Sequence, residues 1–131
     1  MEGVNARGTP YRVLIIDDST FIAKQLGKIL TSEGFEVTDT AVNGAIGVKK
    51  YVALHPNIDL VTMDITMPGI DGVSALAKIL EFDKKAIVIM ITAAGNEDTV
   101  KKCLQIGAKG FIVKPLDRDK VLKRIVPALK R

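Results

Sequence analysis

The chain has 131 residues, 47% of them apolar and 26% charged, a globular balance that fits one domain and excludes a disordered polymer. Its longest strongly apolar run, Ala86 to Ile91, falls far short of the roughly 18 residues of a membrane helix, and Met1 to Gly8 lacks a secretory apolar stretch. A lone cysteine, Cys103, excludes an internal disulfide and points to a reducing cytoplasm, and nineteen basic against fifteen acidic residues leave a net charge of +4.

Short apolar runs alternate with segments of helical period. Val13 to Ile16 reads as a first strand, and about Thr20 to Glu33 as a helix carrying Ile22, Leu26, Ile29 and Leu30 on one face, ended by Gly34. Phe35 to Thr40 alternates as a second strand, and about Asn43 to His55 forms a second helix. Ile58 to Met63 is a third strand, and Asp71 to Phe82 a helix with Val73, Leu76, Ala77 and Leu80 inward. Ala86 to Ile91 is the fourth strand, and Glu97 to Ile106 a helix stopped by Gly107. Gly110 to Val113 is a short fifth strand, and a last helix from Asp117 turns Leu122, Ile125, Val126 and Leu129 inward. Pro127 lacks a backbone donor, which predicts a kink or fraying there. Five strands alternating with five helices predict an α/β fold, a doubly wound parallel sheet covered on both faces. Residues 1–10 read as a flexible N-terminal extension, and 11–131 as one domain with no room for an attached output module.

The C-terminal third is basic, from Lys101 and Lys102 to Lys130 and Arg131, with only Asp117 and Asp119 in opposition. That balance would suit an acidic partner or simply a solvated helix face. No helix-turn-helix, zinc pattern or aromatic-basic interleaving supports nucleic-acid binding. Cys103 reads as a small core residue, and His55 has no metal-like partners beside it.

The strand ends carry the chemistry. The first strand runs into Asp17 and Asp18, the third into Asp64, the fourth into Thr92 and the fifth into Lys114. Ligands of open α/β sheets bind beyond the carboxyl ends of the strands. Each residue has a plainer reading alone: Asp caps helices, Thr enters them and Lys decorates surfaces. Together they place three carboxylates, a hydroxyl and an ammonium at one end of the sheet. Crowded carboxylates raise one another's pKa or bind a cation, and an all-oxygen set suits Mg²⁺ better than zinc. A carboxylate can also act as nucleophile in phosphoryl transfer, with Mg²⁺ and an ammonium neutralising the transferring group.

Asp17-Asp18, the segment from Met63-Asp64 to Asp71-Gly72, Thr92-Ala93 and Lys114-Pro115 together resemble the receiver domain of response regulators, most of all the single-domain, CheY-like chemotaxis regulators. The resemblance spans about residues 11 to 130. It implies strand order 2-1-3-4-5 and a phosphoacceptor role for Asp64. It further implies Mg²⁺ held by Asp18, Asp64 and the backbone carbonyl of Thr66, with Asp17 acting largely through water. Lys114 matches the lysine that pairs with the phosphoryl group, Thr92 the hydroxyl that moves toward it, and Phe111 the aromatic switch residue. The Lys114-Pro115 bond is expected to be cis. Three positions depart from the enteric chemotaxis pattern: Phe111 replaces tyrosine, Thr66 asparagine and Ala94 glutamate. The last two flank the phosphoryl group and bear on its lifetime.

The expected function is a cytoplasmic two-component switch, not an enzyme acting on a separate substrate. A sensor histidine kinase donates the phosphoryl group, and the face of the fourth helix, fifth strand and fifth helix takes a downstream target. Val100, Leu104, Phe111, Val113 and Arg124 are the candidates for that face. The flagellar motor switch is the favoured target, a phosphatase is a further possible partner, and neither nucleic acid nor membrane is expected. The alternative is a phosphorelay intermediate that passes the group to a histidine phosphotransfer protein. A dehalogenase-type phosphatase needs Asp-x-Asp after the first strand, and a flavin mononucleotide carrier needs an uncharged phosphate loop there. Asp17-Asp18 fits neither. A phosphate-independent binding module would not need all five site residues.

Overall fold

In the computed structural model, which describes residues 1–130, the elements follow one another as β1 (Arg12–Ile16), α1 (Thr20–Ser32), β2 (Glu36–Ala41), α2 (Gly44–Leu54), β3 (Leu60–Asp64), α3 (Gly72–Phe82), β4 (Val88–Thr92), α4 (Glu97–Ile106), β5 (Gly110–Val113) and α5 (Arg118–Leu129). The five strands form one all-parallel sheet in the order β2-β1-β3-β4-β5. The expected α/β class and the strand order are both borne out.

Alternation along the strands divides the core in two. Val13 and Ile15 of β1, Leu60 of β3, and Ile89 and Ile91 of β4 pack with Leu26 and Leu30 of α1 and Val121 and Ile125 of α5. Leu14, Ile16, Val61, Met63, Val88 and Met90 point the other way, onto Leu76, Ile79 and Cys103 from α3 and α4 and Tyr51 from α2. Burying each large aliphatic side chain contributes about 1.5–3 kcal/mol, so both layers are needed to offset the entropy of ordering the chain.

Local chemistry sets the helix starts. Ser19 accepts from Ile22 N–H at 3.2 Å, Asn43 from Ile46 N–H at 2.8 Å, Asp71 from Ser74 N–H at 2.8 Å and Asp117 from Lys120 N–H at 2.9 Å. Each is an N-cap bond that satisfies one orphan amide. Gly34 and Gly107, with φ of +90° and +134°, follow α1 and α4 as expected of residues that stop helices.

Some expectations need correction. Strands β3 and β4 extend to Asp64 and Thr92, so these residues end the strands rather than follow them. In α3 the buried residues are Ala75, Leu76 and Ile79, and Ala77 is exposed, because Ala offers too little apolar surface to fix the helix's rotation. Helix α5 continues through Pro127 to Leu129, and Lys130 N–H still bonds Val126 O at 3.2 Å. Pro127 leaves Lys123 O without its i+4 donor, a single lost bond that the helix survives. Residues 1–10 make backbone contacts with the domain. Gly3 N–H donates to Glu33 O at 2.8 Å, Tyr11 N–H to Gly3 O at 2.8 Å, and Val4 pairs with Pro10. Arg131, the last basic residue, lies outside the described residues.

Candidate functional site

Strand register assembles the site. Ile16 pairs with Met63, so Asp17, the next residue, stands beside Asp64. Asp64 pairs with Ile91, which brings Thr92 one step beyond, and Thr92 pairs with Val113, which brings Lys114 alongside. Backbone bonds fix both flanks: Asp17 N–H donates to Ala41 O at 2.9 Å and Lys114 N–H to Thr92 O at 2.7 Å. The Lys114-Pro115 peptide is cis.

Asp17, Asp64 and Thr92 are buried, whereas Asp18 and Thr66 are exposed. Asp17, Asp18 and Asp64 each offer a carboxylate oxygen within 4.8 Å of the other two. Burial, reinforced by the charge of Asp17, pushes the Asp64 carboxyl up to about 6 against the opposing pull of Lys114. Burial also raises Asp17, partly offset by the Ser19 N–H that donates to its Oδ1 at 2.8 Å. Lys114 Nζ stands 3.6 Å from Asp64 Oδ1, an ion pair beyond hydrogen-bond length.

The donor set fits Mg²⁺. Asp17 Oδ2 is buried without a hydrogen-bond partner, a costly state for a carboxylate oxygen unless a cation satisfies it. Every candidate ligand is a hard oxygen, and no histidine or cysteine belongs to the cluster.

Two glycines let the backbone come this close. A Cβ on Gly72, at the start of α3, would lie 2.2 Å from Asp64 O and 2.7 Å from Ile65 Cα. Its N–H donates to Ile65 O at 2.8 Å, which clamps the segment after the acceptor. A Cβ on Gly47 of α2 would meet Ile16 Cδ1 at 2.4 Å, just before the paired acids.

Thr92 Oγ1 donates to Ala93 O at 3.0 Å and accepts from Asn96 Nδ2 at 3.0 Å. Phe111 is half-buried, with the Arg124 guanidinium 5.3 Å above its ring. Phe111, Val113, Val100 and Leu104 line a groove of about 360 Å³ between α4 and β5. Phe111, Val113 and Arg124 also border a basic groove of about 500 Å³ with Lys120 and Lys123. Val100 is 6% exposed and belongs mainly to the core, which limits what it can offer a partner; Leu104 at 41% is freely accessible. The structure thus gathers Asp17, Asp18, Asp64, Thr92 and Lys114 at one end of the sheet, and Phe111 and Arg124 on an adjoining face. Sequence reasoning missed Ser19 and Asn96, and took Gly72 only as the end of a matched segment. Each stands at a helix start, a position that residue type alone marks as structural.

Among the described residues no helix is long and apolar enough to cross a membrane. Residues 13–126 match the model of the response regulator receiver domain family. The chain is 63% identical over 128 residues to the chemotaxis protein CheY of Treponema pallidum, covering 98% of this chain and 89% of that protein. It is 48% identical over 115 residues to the CheY of Bacillus subtilis, covering 88% and 94%. A chain in the crystal structure of the CheX-CheY-BeF3-Mg²⁺ complex from Borrelia burgdorferi superposes with a TM-score of 0.92 at 58% identity, covering 95% of this chain and 94% of that one. With the parallel 2-1-3-4-5 sheet and its acidic end, these matches show that the chain belongs to the response regulator receiver family and is a CheY-like signalling switch of chemotaxis rather than an enzyme in the ordinary sense.

Proposed function

We propose that Asp64 accepts a phosphoryl group from the phosphohistidine of a sensor kinase and that the resulting acyl phosphate switches the α4-β5-α5 face. The observation that carries this reading is the pairing of a buried carboxylate, ionised at neutral pH, with an ammonium 3.6 Å away. An Asp64 oxygen attacks phosphorus, the P–O bond forms, and the P–N bond to the donor imidazole breaks. The imidazole leaves with the electron pair and takes a proton from solvent.

Mg²⁺, when bound, supplies charge neutralisation for the phosphoryl oxygens. Asp17, Asp18, Asp64 and the Thr66 carbonyl are the residues assigned to hold it. Lys114 then pairs with a phosphoryl oxygen, and Thr92 turns its hydroxyl from Ala93 O to donate to another. Withdrawal of Thr92 makes room for Phe111 to turn inward, changing the groove shared with Val113, Leu104 and, at its base, Val100. Arg124 loses its ring contact in the same step. This is a local charge change acting on a packed element with two arrangements.

The flagellar motor switch is the proposed target, which the similarity to chemotaxis proteins supports. Removal of the phosphoryl group is assigned to a CheX-type partner, on the strength of the complex that the Borrelia burgdorferi relative forms. The setting for these encounters is the cytoplasm. A pulldown of motor-switch protein by this chain, with and without beryllofluoride and Mg²⁺, tests the output. Capture that depends on the phosphoryl mimic supports the motor assignment. Capture of a histidine phosphotransfer protein instead would reassign the chain to a phosphorelay.

A further inference from the structure

Asn96 stands at the N-cap of α4 and does not cap it. The other four helices each receive a side-chain bond from their N-cap residue, made from an extended backbone with ψ between 109° and 174°. Asn96 instead has φ −103° and ψ 31° and makes no capping bond. Its carboxamide is engaged elsewhere, with Nδ2 donating to Thr92 Oγ1 at 3.0 Å. The first intrahelical bond of α4 runs from Val100 N–H to Asn96 O, so the amides of Glu97, Asp98 and Thr99 precede the ladder.

The Thr92 hydroxyl cannot donate to both Ala93 O and a phosphoryl group. Its one proton goes to Ala93 O, and it is the inward movement of the whole Thr92 side chain toward a phosphoryl group on Asp64 that carries Oγ1 out of reach of Asn96 Nδ2. A released carboxamide has an unmet acceptor task three residues along, at Thr99 N–H. Reaching it requires ψ of Asn96 to open toward the extended range seen at the other four caps. Gly95 directly before it has φ +95°, and no atom lies within 4 Å of where a Cβ would stand. Rotation there re-aims the first turn of α4, which borders the groove of Val100, Leu104, Phe111 and Val113.

We propose that Asn96 is a positioning residue that trades one hydrogen bond for another: it holds the Thr92 hydroxyl away from Asp64 at rest and caps α4 once Thr92 has turned to the phosphoryl group. The proposal rests on Asp64 being the phosphoacceptor. It extends that reading by giving the movement of Thr92 a route into α4 that is separate from Phe111.

The test is amide hydrogen exchange of Thr99, followed by NMR with and without beryllofluoride and Mg²⁺, with the Val100 amide as internal reference. In the wild type the mimic is expected to slow Thr99 exchange by about threefold to tenfold, the worth of one capping bond. Asn96→Ala should exchange fast in both states. Asn96→Asp, which caps but cannot donate to Thr92, should be protected in both, as should Thr92→Val, which has no oxygen for Asn96 to hold. A simple loss of helix stability would move Val100 together with Thr99 and would not separate Ala from Asp. Mimic binding, seen as shifts at Asp64 and Ala93, with Thr99 unchanged in the wild type would overturn the exchange alone. Absence of any mimic-induced shift at Asp64 would overturn the phosphoacceptor reading and the exchange with it.

Discussion

Lys114 Nζ stands 3.6 Å from Asp64 Oδ1, close enough to favour the carboxylate and too far to hydrogen-bond it. A lysine so placed keeps its donors available for a group that arrives on Asp64. Lys114→Ala should therefore slow phosphoryl uptake from acetyl phosphate by roughly a hundredfold, the scale of losing one charge-stabilising donor. The rate of adduct formation by intact mass checks this, and uptake at the wild-type rate would remove Lys114 from the reaction.

The raised Asp64 carboxyl makes stability depend on pH. Its folded-state value of about 6 lies above its ordinary 3.8, so the folded state holds the proton more tightly than the unfolded chain. Metal-free stability should fall as pH rises from about 4 to 6 and level off above that. Asp64→Asn removes the penalty: it should stabilise the metal-free protein by on the order of 2–3 kcal/mol at pH 7 and by almost nothing at pH 4. Urea titrations at the two pH values in EDTA measure both quantities, and an equal effect at pH 4 and pH 7 would contradict the burial argument.

Mg²⁺ should raise the melting temperature at pH 7, because a cation relieves the unpartnered Asp17 Oδ2 and the crowding of the three carboxylates. Asp18→Asn should abolish most of that gain while leaving the metal-free melting temperature nearly unchanged, since Asp18 is exposed. A full Mg²⁺ response in the variant would move the metal elsewhere.

Gly72→Ala tests the clamp behind the acceptor. The added methyl would meet Asp64 O at 2.2 Å, so α3 or the acceptor segment must shift. The expected cost is about 1–3 kcal/mol of stability, with slower uptake at Asp64 as the carboxylate moves. Gly69→Ala, with no atom within 4 Å of its Cβ position, serves as the comparison for a turn glycine whose strain is purely backbone.

Phe111→Ala should leave uptake at Asp64 intact and weaken partner binding. It also removes the Arg124 contact, worth about 0.5–1 kcal/mol at an exposed site. Normal binding of motor-switch protein by the beryllofluoride form of this variant would take Phe111 out of the switch.

The layered fold was legible because strand and helix periods alternate cleanly, and the site because four strands end in residues that a plain core would not place there. Asp17, Asp18, Asp64, Thr92 and Lys114 could be named from those strand ends alone. What joins them could not. The registers Ile16 with Met63 and Thr92 with Val113 are tertiary facts, and a one-residue slip would turn each side chain to the opposite face. Ala77 was misplaced because alanine is tolerated on either side of a helix. Asn96 went unread for a different reason. Asparagine before Glu97 has every mark of an ordinary cap, but in the folded chain its side chain has gone to Thr92.

The most direct test is phosphoryl uptake from acetyl phosphate, read by intact mass, on wild type and Asp64→Asn with and without Mg²⁺. A single phosphoryl adduct that requires Mg²⁺ and is lost in Asp64→Asn is the predicted result. No adduct in the wild type, or one that survives in Asp64→Asn, would contradict the assignment of Asp64 as the phosphoacceptor.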